Sequence, residues 1–140
     1  MYAVIGTEIL ESKLSIPLHE VKAQSYFYNG KLVEKLNIIY LKFDTWIRVF
    51  FDDGVLFIRE KFNDEPKELK VEEDLFEYPI IDKTEISIEI DKIINKEFFS
   101  FTISEAFELF LEFENRTYLR IAQKKINQSV FGPTLFEIIE

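Results

Sequence analysis

The sequence contains no cysteine, which excludes thiol catalysis and cysteine-ligated zinc and leaves no sign of an oxidising compartment. It contains one histidine, His19, in what reads as a loop after Pro17-Leu18. A single imidazole can act as a base, but no cysteine and no obvious serine nucleophile accompanies it, so a triad has no support and an ordinary loop residue is the expectation. No stretch approaches the roughly 18 apolar residues needed to span a bilayer, and the opening MYAVIGTEILESK lacks a basic segment followed by a long apolar run. A soluble, cytoplasmic protein without membrane contact is therefore expected. Positive charge is also in deficit. With 17 basic against 26 acidic side chains the formal charge is -9, so a phosphate backbone would be repelled and nucleic-acid binding is disfavoured.

The chain holds 140 residues, one domain's length, and folding can bury roughly two thirds of the surface its unfolded form exposes. Phenylalanine is abundant at 15 residues and is joined by six tyrosines and one tryptophan, enough to fill a core and line an interface or pocket. The excess acid keeps a small protein soluble. Its sharper reading is attraction to a basic partner protein.

The strongest local signal lies in residues 36–61, LNIIYLKFDTWIRVFFDDGVLFIREK, where Asp52-Asp53-Gly54 separates two runs rich in β-branched and aromatic residues. A three-residue loop would set Phe51 opposite Val55 and Val49 opposite Phe57. Ile47, Val49, Phe51, Val55 and Phe57 would then share one face, with Arg48, Phe50, Leu56 and Ile58 on the other. A two-residue Asp53-Gly54 turn would instead set Arg48 opposite Arg59, and directly opposed like charges are unfavourable without an acidic partner. The three-residue loop is the expectation.

In chain order, residues 2–10 read as a first strand with Gly6 as a bulge or close-approach point. Ile16-Pro17-Leu18 breaks pairing, residues 21–28 alternate loosely, and Asn29-Gly30 is a second hairpin turn. The returning strand bends near Asp44-Thr45, so the first sixty residues read as a meander. Residues 62–85 carry two prolines and many acids and read as an acidic connection or extended edge, a crossover between two halves. A short helix from Glu65-Pro66 lacks a convincing apolar stripe. In residues 84–94, Ile86, Ile88 and Ile90 alternate with Ser87, Glu89 and Asp91, as in a half-buried strand. Residues 98–103 offer another. Leu109, Leu111 and Phe113 turn at Glu114-Asn115-Arg116 and return with Leu119 facing Leu111, Ile121 facing Leu109, and Glu112 beside Tyr118 outside. Gly132-Pro133 reads as a turn before a terminal strand.

A shift of 62 positions superimposes the hairpin in 29–61 on that in 95–124, either a duplication or the coincidence expected of any two amphipathic hairpins. The fold expected is a single mainly β domain over residues 1–140 with little helix, an antiparallel sandwich or partly open barrel built from two hairpin-rich halves.

Two constellations stand out. Asp52 with Asp53, and Glu72, Glu73 and Asp74, lack the alternating oxygen spacing of a calcium loop, so neither metal nor cofactor is expected. Trp46, Arg48 and Phe50 share one face of the central hairpin and are of the residue types that anchor interfaces. That face is either covered by the chain itself or open to a partner. Asp64, Glu65, Glu68, Glu72, Glu73, Asp74 and Glu77 supply an acidic surface for a basic partner.

The phrases WIRVFFDDGVLFIRE and FELFLEFENRTYLRI, in a small acidic chain without catalytic motifs, resemble in style the bacterial immunity proteins that neutralise polymorphic or contact-dependent toxins. The resemblance covers about half the chain. It implies a cytoplasmic, non-enzymatic protein that occludes the basic active site of one cognate toxin domain, and acidic charge would speed that encounter. The alternative from another class is a small β-barrel carrier of an apolar ligand. An enzyme using carboxylates or His19 ranks last, and a homodimer is left open.

Overall fold

The computed structural model describes residues 3–60, 65–71, 75–127 and 130–140. The protein is mainly β with little helix, and its strands form two sheets that share one core. The first sheet is eight-stranded. It is built from β1 (Ala3–Ile5), β2 (Glu20–Tyr28), β3 (Lys31–Lys42), β4 (Trp46–Asp52), β5 (Val55–Glu60), β6 (Leu69–Val71), β7 (Phe76–Tyr78) and β8 (Ile80–Asp82). Its order is β1-β5-β4-β3-β2-β7-β6, and β8 lies beside β7 along the free side of β2. The second sheet is a four-stranded antiparallel meander of β9 (Phe98–Ile103), β10 (Leu109–Phe113), β11 (Thr117–Lys125) and β12 (Phe131–Ile139).

The meander expected over the first sixty residues is present only from β2 to β5, since β1 joins the far side of β5 in parallel; its reversals at Asn29-Gly30 and Asp53-Gly54 are of the primed type, with all four residues at positive φ. The second of these corrects the expected register. Asp52 pairs with Val55, Phe51 with Leu56, Phe50 with Phe57, Val49 with Ile58 and Arg48 with Arg59, so the turn has two residues and not three. Val55 and Phe57 therefore leave the face assigned to them, and Leu56 and Ile58 take their place beside Ile47 and Val49, all four fully buried. Burying Leu56 and Ile58 in the core outweighs the cost of opposing two arginines, because each large aliphatic side chain removed from water contributes about 1.5–3 kcal/mol while a like-charge pair at a partly wet surface costs less.

Of the strand expected over residues 2–10, the described residues 3–10 do not form one strand. After β1, which runs parallel to β5, the chain turns at Gly6 into a short helix α1 (Thr7–Glu11) that buries Leu10. Gly6 takes φ +103°, and a Cβ there would lie 2.0 Å from the Ile58 carbonyl oxygen, so the close approach read from this glycine holds while the strand continuation does not.

Residues 84–94 are also corrected. They form a short helical turn α2 (Lys83–Ile86) and a 3₁₀ turn over Ile90–Lys92. Ile88 stands 92% exposed while Ile90 and Ile93 are buried and Ile86 packs against the core. Two separate turns with extended Ser87 between them bring Ile86, Ile90 and Ile93 inward and leave Ile88 outside, which alternation along one strand would not do.

In residues 62–85 the extended-edge reading is realised: β7 and β8 pair with β2, and these strands extend the first sheet. Residues 65–68 form no helix. The second hairpin has the register read from sequence, with Leu111 opposite Leu119, Leu109 opposite Ile121 and Glu112 opposite Tyr118 across a three-residue turn. The two hairpins thus differ in turn length, so a shift of 62 sets half-exposed Phe57 against buried Leu119. Gly132-Pro133 lies inside β12 and not before it. There the pairing with β11 shifts between Gln123 and Lys125, and proline is tolerated because β12 is an edge strand.

Between the sheets, Phe98 of β9 meets Phe43, just past β3, at 5.4 Å between ring centres, while within its own sheet it meets its cross-strand partner Phe113 of β10 at 5.8 Å. The Glu34 carboxylate on β3 accepts the N–H of Thr134 on β12, a polar tie between the sheets at their rim.

Candidate functional site

The outer face of the first sheet, turned away from the second, carries Trp46, Arg48 and Phe50. Trp46 is fully buried, and Arg48 and Phe50 are half-buried. The Trp46 indole meets Tyr40 edge-on at 6.5 Å and lies under the Lys42 ammonium at 5.7 Å. Phe50 stacks on Phe57 at 5.1 Å, and the Arg59 guanidinium lies over Phe57 at 5.3 Å. Cross-strand pairing sets Lys22, Tyr40, Arg48 and Arg59 in one row. Arg59 belongs to this face, because the two-residue turn that the sequence disfavours sets it opposite Arg48. Burial pushes the Tyr40 phenol pKa up, against the opposing pull of the nearby Arg48 charge.

Of the acidic set, Glu65, Glu68 and Glu77 are exposed, the first two flanking the buried Pro66 and the third on β7. Asp64, Glu72, Glu73 and Asp74 lie outside the described residues. The described acids of this set occupy the connection from β5 to β6 and the sheet edge beyond β2, so they do not join Arg48 in one row.

His19 is exposed and its backbone N–H donates to the Lys42 carbonyl. It borders an open cleft of about 420 Å³ with Glu20, Lys22, Asp82 and Lys83, a polar setting in which Glu20 already engages Lys22 at 3.8 Å. Among the described residues no group of three or more histidine, aspartate or glutamate side chains is placed to hold a metal.

Two features had no signal in the sequence. One is a cleft of about 410 Å³ at the tip of the first hairpin, bounded by Phe51, Phe107, Phe131 and Leu135, with the ion-paired Glu108 and Arg120 at its rim. Its walls come from four separated segments, so no local pattern marks it. The other is Lys13, which is 2% exposed and donates to Asp44, Thr45 and Glu60, using all three of its N–H bonds. Burial opposes its charge, yet the hydrogen bonds to Asp44 and Glu60 outweigh it and its pKa is raised, while the same contacts hold both carboxyl groups below their usual range. This cluster ties α1 to the β3–β4 bend and to the end of β5, which is a structural task.

Compared with known proteins, the chain matches no family, no curated protein and no solved structure.

Proposed function

We propose that this chain is a non-enzymatic protein-binding domain of the immunity type, which neutralises a cognate basic toxin domain by covering its active site. The observation that carries the reading is the excess of 26 acidic over 17 basic side chains. The exposure of Glu65, Glu68 and Glu77 along one connection and sheet edge supports it, since charges on an open rim steer a basic partner and raise the rate of encounter more than the final affinity. Trp46 is fully buried, so the contact surface rests on the acidic set.

The test is purification of the chain from its native host under low salt, followed by expression of any stoichiometric basic partner alone and together with the chain. The partner alone should arrest growth and co-expression should restore it. Recovery of no tightly held protein, or a partner whose toxicity the chain leaves intact, would sink the reading.

A second reading, a carrier of a small apolar ligand, draws on the aromatic cleft beside Phe51 and Phe107. An apolar fluorescent dye displaced by extracts of the host would favour it, and absence of dye binding would remove it.

A further inference from the structure

Among the described residues two buried side-chain polar atoms have no hydrogen-bond partner, Trp46 Nε1 and Arg48 Nε. Both are N–H donors, and they occupy alternate positions of β4, hence one face of the sheet. A buried donor without an acceptor costs about 1–3 kcal/mol, and more when it belongs to a charged group. On the same face Arg48 stands directly opposite Arg59, and among the described residues neither arginine has an ion-pair partner. Lys42 lies opposite Trp46, and Lys22 continues the arginine row beyond Tyr40. Among the described residues the carboxylates of this face stand at its margins: Glu20 opposite Lys42, Asp82 opposite Lys22, and Asp52 at the hairpin tip. Among the described residues the central arginine pair thus has no carboxylate beside it, in a chain with nine more acids than bases. Local rules broken in this way mark functional sites more often than random ones.

We propose that Arg48 and Arg59 form a binding site for an oxyanion, a carboxylate or phosphate group, whose apolar or aromatic neighbour would lie along the stacked Phe50 and Phe57. The planar guanidinium forks suit both anions. An acceptor oxygen between the two arginines turns their repulsion into shared attraction and gives Arg48 Nε its missing partner. The site is reachable, because Arg59 is exposed and Arg48, Phe50 and Phe57 are half-buried. It is independent of the toxin-binding reading, which rests on charge of the opposite sign.

Trp46 is the sole tryptophan and sits one pair away from the arginines, so its emission reports on this site alone. Inorganic phosphate and benzoate are titrated separately at constant ionic strength, with chloride as the control. At least one should give a saturable change in emission and a rise in Tm that chloride does not give. Saturation by phosphate alone identifies a phosphate group, and by benzoate alone a carboxylate beside a ring. Arg59→Gln, at an exposed position, should weaken binding roughly tenfold or more and raise the anion-free Tm by removing the like-charge opposition. Arg59→Glu, which sets a carboxylate opposite Arg48, should raise that Tm further and abolish the response. Lys31→Gln, at the exposed turn far along the sheet, should leave affinity unchanged. The proposal is overturned if neither probe saturates above the chloride control, or if Arg59→Glu binds as well as the parent chain.

Discussion

The Lys13 ammonium lies 2.7 Å from Oε2 of Glu60, across 47 positions of sequence, with a lysine side chain that is almost wholly buried. The same nitrogen reaches Asp44 at 2.8 Å. Lys13→Met removes the donor and leaves two carboxylates facing each other through Thr45. We expect a loss of about 2 kcal/mol at neutral pH, read from urea unfolding, because hydrogen bonds to charged groups are the strong ones. An unchanged midpoint would show that the cluster contributes nothing.

The pH dependence of stability follows from the same contacts. Asp44 and Glu60 have folded pKa values below their ordinary 3.8 and 4.5, so their contribution is present above those values and is lost as pH falls through the depressed ones. Lys13 has a raised pKa, so its contribution is present below the ordinary 10.5 and is lost as pH rises through the raised value. The difference in unfolding free energy between parent and Lys13→Met should therefore be flat between those limits and shrink on the acid side below pH 4. A difference that stays constant down to pH 2 would contradict this.

At Gly6 the backbone takes φ +103°, and a methyl group would lie 2.0 Å from the Ile58 carbonyl. Gly6→Ala forces both a strained conformation and a displacement of β5. The expected cost is roughly 2–4 kcal/mol by thermal or chemical unfolding. A loss below half of that range would mean that the β1–α1 junction moves freely.

Ile88 and Ile90 separate the helical from the strand reading of residues 84–94. Ile88→Ser should change stability by no more than about 0.5 kcal/mol, since the side chain is 92% exposed. Ile90→Ala should cost about 2–4 kcal/mol, because that side chain is 2% exposed. Equal effects at both positions would restore the half-buried strand.

Phe98 joins Phe43 on one side to Phe101 and Phe113 on the other and is fully buried where the two sheets meet. Phe98→Ala should cost about 3–5 kcal/mol and do so in a single cooperative transition. Two separated transitions would show that the sheets do not share one core.

Where turn and strand chemistry agree, the sequence was legible. Asn29-Gly30, the bend near Asp44-Thr45, and the second hairpin with Leu111 opposite Leu119 could all be read, because each follows from contacts within a few residues. The first hairpin departs from the sequence expectation by one residue because two local preferences conflict. Avoiding an Arg48–Arg59 pair favoured one loop, while the burial of Leu56 and Ile58, known only from the opposite sheet, favoured the other. The site residues fared similarly. Trp46, Arg48 and Phe50 could be named as one face, but the burial of Trp46 and the presence of Arg59 beside Arg48 depend on what lies across and above the strand.

The amino-acid sequence by itself determined that this is a mainly β, acidic, cysteine-free domain with reversals at its Asn-Gly and Asp-Gly pairs, because composition and turn geometry are local properties. Only the tertiary structure decided which isoleucines point inward, that Lys13 reaches Glu60 and Asp44, and that Arg48 and Arg59 face each other across β4 and β5. Those outcomes are set by contacts between segments tens of residues apart, where burial of whole side chains competes with charge and the larger free energy wins.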